Sequence, residues 1–176
     1  MYLHSRKFTP RPYQDAAVRR VVSLFGEGER EMLLHLPTGS GKTIIATVVI
    51  EKLLPKLKGG KVLFVAHRRE LLDQTADKLD RHLPDVSVSI EQGERRASLD
   101  AQVILASIQS LSARKDTYPA EQFSLIIIYD CHHALAPTWK AVIQYFHDSP
   151  VTRRLLLVLT ATPRPVSSSH LTLPTT

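Results

Sequence analysis

A chain of 176 residues with 43% hydrophobic residues can fill one domain core. Its formal charge of +6 and pI near 9.6 favour polyanionic partners, although the basic residues are spread along the chain and form no basic tail. No apolar run approaches the roughly 20 residues of a membrane span, and Met1 to Lys7 carries no signal-like apolar block. Its single cysteine, Cys131, excludes an internal disulfide and fits a reducing cytoplasm.

Phe8 to about Phe25 reads as a first helix, with Thr9 as its expected cap and prolines near its first turn. Tyr13, Ala17, Val18, Val21, Val22 and Leu24 recur at helical spacing as a buried face, and Arg19 and Arg20 point to solvent. After Gly26-Glu27-Gly28 comes a strand from Glu31 to Leu36, then a turn, then a helix from Lys42 to about Leu54 that Pro55 and Gly59-Gly60 stop.

The turn is Pro37-Thr38-Gly39-Ser40-Gly41-Lys42-Thr43, and its chemistry is that of a phosphate-binding loop. Glycines let the backbone fold into a concave nest of inward N-H groups, and the next helix adds its positive N-terminal dipole. Lys42 would reach the β and γ phosphates and the Thr43 hydroxyl would ligate Mg²⁺. Leu36 stands where the strict motif has glycine, so this is the variant that begins Pro-Thr-Gly.

Lys61 to Ala66 is a continuous apolar run, as expected of a strand covered on both faces. His67 to Gln74 opens a second helix that runs to about His82, and Val86 to Ile90 is a short alternating strand. Gln92 to Asp100 is a polar loop with Arg95 and Arg96 exposed. A strand over Val103 to Ala106 leads into Ser107-Ile108-Gln109-Ser110-Leu111, and Phe123 to Tyr129 is the most apolar strand of all. It runs into Asp130-Cys131-His132-His133. Pro137 opens a helix to about Phe146, in which Trp139, Val142, Ile143 and Phe146 are core, and Arg154 to Leu159 is a last strand ending in Thr160-Ala161-Thr162-Pro163. Alternating strands and helices predict an α/β domain with a mainly parallel sheet and helices on both faces, and the site at the C-terminal strand ends. Residues 1–165 form this domain, and residues 166–176, rich in Ser, Thr and Pro, read as a disordered linker or foreign tail.

Taken in order, Arg11-Pro12-Tyr13-Gln14, Leu36 to Thr43, Val65 through Gln74, Ala106 to Leu111, Asp130 to His133 and Leu159 to Pro163 resemble the first RecA-like domain of a superfamily 2 helicase or translocase. More narrowly, the series is similar to the bacterial DEAD/DEAH-type ATPases grouped with UvrB and the restriction-enzyme motor subunits. The resemblance covers about Phe8 to Pro163 and implies a RecA-like P-loop NTPase fold with ATP and Mg²⁺ as cofactors. It implies that Gln14, with Arg11 beside it, selects adenine through its amide. His67, Arg68 and Gln74, with Ser107, Gln109 and Ser110, would hold a DNA or RNA backbone without reading sequence; Arg69 would add charge. Thr160 and Thr162, with His132, would couple the nucleotide state to the nucleic-acid track.

The acidic motif departs from the pattern. The family has Asp-Glu-x-His after an apolar strand, with Asp holding Mg²⁺ and Glu polarising the attacking water. Here the run Ile128-Tyr129-Asp130-Cys131-His132-His133 contains one carboxylate. In one register Tyr129 takes the metal-aspartate position and Asp130 that of the catalytic glutamate; this preserves the strand length a sheet demands. In the other, Asp130 is the metal aspartate and the glutamate is absent. Either way nucleotide binding is expected to survive better than hydrolysis, which makes a degenerate, non-hydrolysing nucleotide or nucleic-acid binding module the alternative to a motor lobe. A zinc site on Cys131, His132 and His133 has too few ligands, and a small-molecule kinase leaves Gln14 and Thr160 to Pro163 without a role. In the family ATP sits between two such lobes; nothing after Pro163 is long enough for the second, so the chain reads as part of a larger motor.

Overall fold

The computed structural model describes residues 7–37, 39–129, 137–147, 154–161 and 170–172. Its strands are β1 (Glu31–His35), β2 (Lys61–Ala66), β3 (Val88–Glu91), β4 (Val103–Ser107), β5 (Phe123–Tyr129), β6 (Leu155–Thr160) and β7 (His170–Thr172). Its helices are α1 (Pro12–Gly26), α2 (Lys42–Leu53), α3 (Arg69–His82), α4 (Ile108–Arg114) and α5 (Pro137–His147). The strands make one sheet in the order β3-β4-β2-β5-β6-β1-β7, and each described pairing is parallel. Parallel neighbours need helical crossovers, so the central strands are covered on both sides and contain little but Val, Ile and Leu.

Strand alternation divides the core in two. Val62, Phe64, Val103, Leu105, Leu125 and Ile127 face α1, α2 and α3. Leu63, Val65, Ile104, Ala106, Ile126 and Ile128 face the layer that contains Trp139, Val142 and Phe146 of α5, with Ile143 packed against it. Tyr129 continues the row of Leu125 and Ile127, so its ring joins the α1–α3 side and tilts against Phe64 at 5.7 Å.

Several expectations shift. Helix α1 is capped at Arg11 rather than Thr9, because Gln14 Oε1 accepts the Arg11 amide at 2.9 Å and so fixes where the first turn begins. The strand expected from Val86 runs over Val88–Glu91, after a turn in which the Val86 amide donates to Leu83. The segment after β4, read without structure of its own, is helix α4, with the Ser107 hydroxyl capping the Ser110 amide at 3.2 Å. His170–Thr172, inside the stretch read as disordered linker or tail, pairs with Leu33 to His35 as an edge strand. Composition cannot foresee such a strand, because its backbone bonds go to an open edge already made by β1.

Candidate functional site: the loop after strand β1

The loop joins β1 to α2 at the C-terminal edge of the sheet. Gly39 and Gly41 have φ of 82° and 79°, the left-handed region that glycine adopts without strain. Gly41 is the N-cap of α2, so Lys42 and Thr43 form the first turn, where N-H groups point out of the helix end and the helix dipole favours an anion. Both side chains are buried to the same degree, at 7% exposure, although each is polar. Thr38 lies outside the described residues.

Helix α1 holds the loop from behind. Tyr13 donates its hydroxyl to the Ser40 carbonyl at 2.6 Å, and Gln14 Nε2 donates to the same oxygen at 3.0 Å. Gln14 is 3% exposed, and its Oε1 takes the Arg11 amide. The amide expected to select adenine is therefore bonded to the loop and to its own helix start. On the other side, the Leu36 amide donates to the Thr160 carbonyl at 2.9 Å and the His35 ring lies 2.6 Å from the Ala161 carbonyl. Thr160, the expected coupling residue, thus stands on β6 directly beside β1; Thr162 and His132 lie outside the described residues.

Opposite the loop stands Tyr129. The Thr43 hydroxyl donates to the Tyr129 hydroxyl at 3.3 Å, and Lys42 Nζ lies 5.9 Å from the centre of the Tyr129 ring. Gly39, Gly41, Lys42, Thr43, Tyr129 and Lys78 of α3 line a cavity of about 430 Å³, within the range of small-molecule sites. Lys78 carries no sequence signal, being one more charged residue on a polar helix; only the packing of α3 beside α2 brings it here. Asp130 lies outside the described residues. The described donors do not suit a resident Mg²⁺: a hard cation prefers carboxylate oxygen, whereas the lining offers two neutral hydroxyls and two ammonium groups.

Of the expected backbone-binding residues, His67 and Arg68 follow β2, Ser107, Gln109 and Ser110 lie at the end of its sheet neighbour β4, and Gln74 stands further along α3. Gln109 Nε2 and His67 Nδ1 lie 3.0 Å apart, and His67, Arg68, Arg69, Gln74 and Gln109 are exposed. Ser107 and Ser110 are spent within the fold: Ser107 caps α4, and the Ser110 hydroxyl accepts the Gly93 amide at 2.8 Å. Behind them lies a network absent from the sequence reading. Glu91, 1% exposed, accepts from Arg114, from the Tyr118 hydroxyl and from the Ala97 amide. Burial raises the Glu91 pKa, but these hydrogen bonds outweigh it and hold the carboxyl below its usual value; burial and the Glu91 charge push Tyr118 up.

Residues 7–165 match the family described as type III restriction enzyme, res subunit. A relative from Saccharomyces cerevisiae, IRC3, whose name assigns it provisionally to the ATP-dependent helicases, is 32% identical over 84% of this chain and 22% of its own length. The type I restriction enzyme EcoAI endonuclease subunit of Escherichia coli is 29% identical over 89% of this chain and 20% of its own. The Hef helicase domain of Pyrococcus furiosus superposes with a TM-score of 0.73 at 29% identity, over 90% of this chain and 34% of that one. The chain thus spans about a fifth of the curated relatives it matches. Its loop geometry, its sheet order and these matches place the chain in the type III restriction enzyme res subunit family, as a superfamily 2 helicase-type ATP-binding lobe with a RecA-like fold.

Proposed function

We propose that this lobe serves an ATP-dependent DNA or RNA helicase or translocase whose second RecA-like lobe completes the ATP site, and that Tyr129 leaves its own hydrolysis negligible. The observation that carries the reading is the meeting of the Thr43 and Tyr129 hydroxyls at 3.3 Å, beside Lys42. It favours the register in which Tyr129 stands for the metal aspartate, since a slip of one residue would turn the ring to the opposite face of the sheet.

In this reading Gly39, Ser40 and Gly41 give backbone N-H groups to the phosphates, with Pro37 and Thr38 shaping the turn. Lys42 neutralises the β and γ oxygens. Arg11 and Gln14 border the base, and Gln14 reaches adenine only by exchanging one of its present bonds. Thr43 and Asp130 are the residues that would face a Mg²⁺ brought in by the nucleotide, which would supply charge neutralisation at the phosphates. His67, Arg68, Gln74 and Gln109 hold the nucleic-acid backbone, while Ser107 and Ser110 shape the element that does so. Thr160, with Thr162 and His132, relays the nucleotide state. No helix among the described residues is long and apolar enough to cross a membrane, and the single cysteine suits the reducing cytoplasm.

Binding of a fluorescent ATP analogue, and ATP turnover with and without single-stranded DNA, test this. Lys42→Ala is expected to weaken binding by about 2–3 kcal/mol, since a charge-assisted phosphate contact is lost. Turnover is expected to stay at background with DNA present; robust stimulated hydrolysis would refute the negligible-hydrolysis reading. The same Tyr129 contact also supports a lobe that binds without ever turning over. Changing Tyr129-Asp130 to Asp-Glu in a chain joined to a second lobe separates the two, because a damaged motor regains turnover and a dedicated binder stays silent.

A further inference from the structure

We infer that the phosphate site of this chain binds ATP without needing Mg²⁺, with the Lys78 ammonium doing the charge neutralisation that the metal does elsewhere. The inference rests on the reading of this loop as an ATP site and deepens it. Its basis is the composition of one cavity wall. Lys42 and Thr43 reach it from the first turn of α2, Tyr129 from the end of β5, and Lys78 from the middle of α3.

Formal charge decides the matter. A site with one lysine, one divalent metal and two carboxylates presents about +1 to the phosphates. The lining here carries two ammonium groups and, among the described residues, no carboxylate, which makes about +2 with no metal at all. Adding Asp130, wherever it stands, brings the sum down to about +1, still equal to the metal-loaded arrangement. A cation placed in this wall would meet two like charges and two neutral hydroxyls, one of which, Thr43, already donates to the other. The amide nest and the α2 dipole act on phosphate oxygen whether or not a metal is present. Lys78 is half-buried along α3, which ties its stem to the helix packing and keeps its charged end beside the same cavity as Lys42.

The test is equilibrium binding of a fluorescent ATP analogue to the whole chain in excess Mg²⁺ and in EDTA. The wild-type dissociation constants are expected to agree within about threefold, and Lys78→Ala is expected to weaken binding in EDTA about tenfold. Tyr129→Asp, which installs the missing carboxylate, should make binding depend on Mg²⁺ by about tenfold, whereas Tyr129→Phe, which keeps the ring, should remain indifferent to the metal. A wild-type loss of tenfold or more in EDTA overturns the inference, and its disappearance in Asp130→Ala would show that Asp130 holds the metal instead. Unchanged binding of Lys78→Ala in EDTA overturns it as well. No binding in either buffer overturns the ATP-site reading and this inference with it, so the two failures are told apart.

Discussion

Gly41 carries two constraints at one residue. Its φ of 79° lies where a side chain is strained, and a Cβ there would run into Gln14 Nε2. The second constraint is the more specific, because Gln14 and Ser40 are what tie α1 to the loop. Gly41→Ala is therefore expected to destabilise the fold by about 1–3 kcal/mol from backbone strain, with a further loss as Gln14 is displaced. Urea unfolding measures the first part. The second appears in the double variant with Gln14→Ala, where the collision is gone and the two effects fall short of additive. The sequence names both residues through their motifs, but not the bond between them, since the Ser40 carbonyl that joins them lies 26 positions from Gln14. Tyr129 differs in kind. Its identity is plain in the sequence as a departure from pattern, whereas its contact with Thr43, 86 positions away, exists only once β5 and β1 share a sheet.

At the scale of elements, legibility follows how much of a segment's stability is local. Strands β2 and β5 are read almost to the residue, because a run such as Leu125-Ile126-Ile127-Ile128 has no place except a sheet covered on both faces. Helix α4 has only seven residues, and its start depends on the Ser107 cap, so its Ser-rich sequence suggests a connector. The parallel pairing of β2 with β4 then sets His67 and Arg68 beside Gln109, from segments about forty positions apart. Arg95 of the polar loop is already paired with Asp73 at 2.9 Å, whereas Arg68 and Arg69, the two arginines expected at a backbone, are exposed. If each contacts one phosphate, affinity for single-stranded DNA falls with a log-log salt slope of about −1.4, or about sevenfold between 50 and 200 mM salt. The Arg68→Ala, Arg69→Ala double variant should flatten that slope, while Lys42→Ala leaves it unchanged. A steep slope persisting in the double variant would place the backbone elsewhere on the chain.

Across the whole molecule the sheet keeps its chemistry on one edge and its fastenings on the other parts. His82 at the end of α3 pairs with Glu51 of α2 and stacks on Phe8 at 5.6 Å, and His147 at the end of α5 reaches Glu31 of β1 at 2.7 Å. Glu91 is a buried fastening, joining β3 to α4 through Arg114, to the following turn through Tyr118 and to the polar loop through Ala97. It also fixes how stability depends on pH. The folded state holds the Glu91 carboxyl below its reference value of 4.5, so near neutral pH the folded chain gains stability from the ionised form. That gain is fully present above the unfolded value and is lost as pH falls through the lower, folded one. Tyr118 is raised above its reference value of 10.0, so its contribution is present below that value and is lost as pH climbs above it. Thermal unfolding should therefore show a plateau near neutral pH with an acid limb beginning below about pH 4.5 and an alkaline limb above about pH 10. Glu91→Gln keeps the shape and an acceptor but strands the Arg114 charge, so it should cost about 3 kcal/mol at pH 7 and flatten the acid limb. An acid limb of undiminished steepness in that variant would assign the transition to other carboxylates. The cost should also reach the edge that carries His67 and Gln109, because the Gly93 turn is held by Ser110 of α4 and by Arg114, whose guanidinium loses its carboxylate partner in the variant. Glu91→Gln is therefore expected to weaken DNA binding more than ATP binding, since the loop after β1 is held from Gln14 and Tyr13 of α1, which Glu91 does not touch.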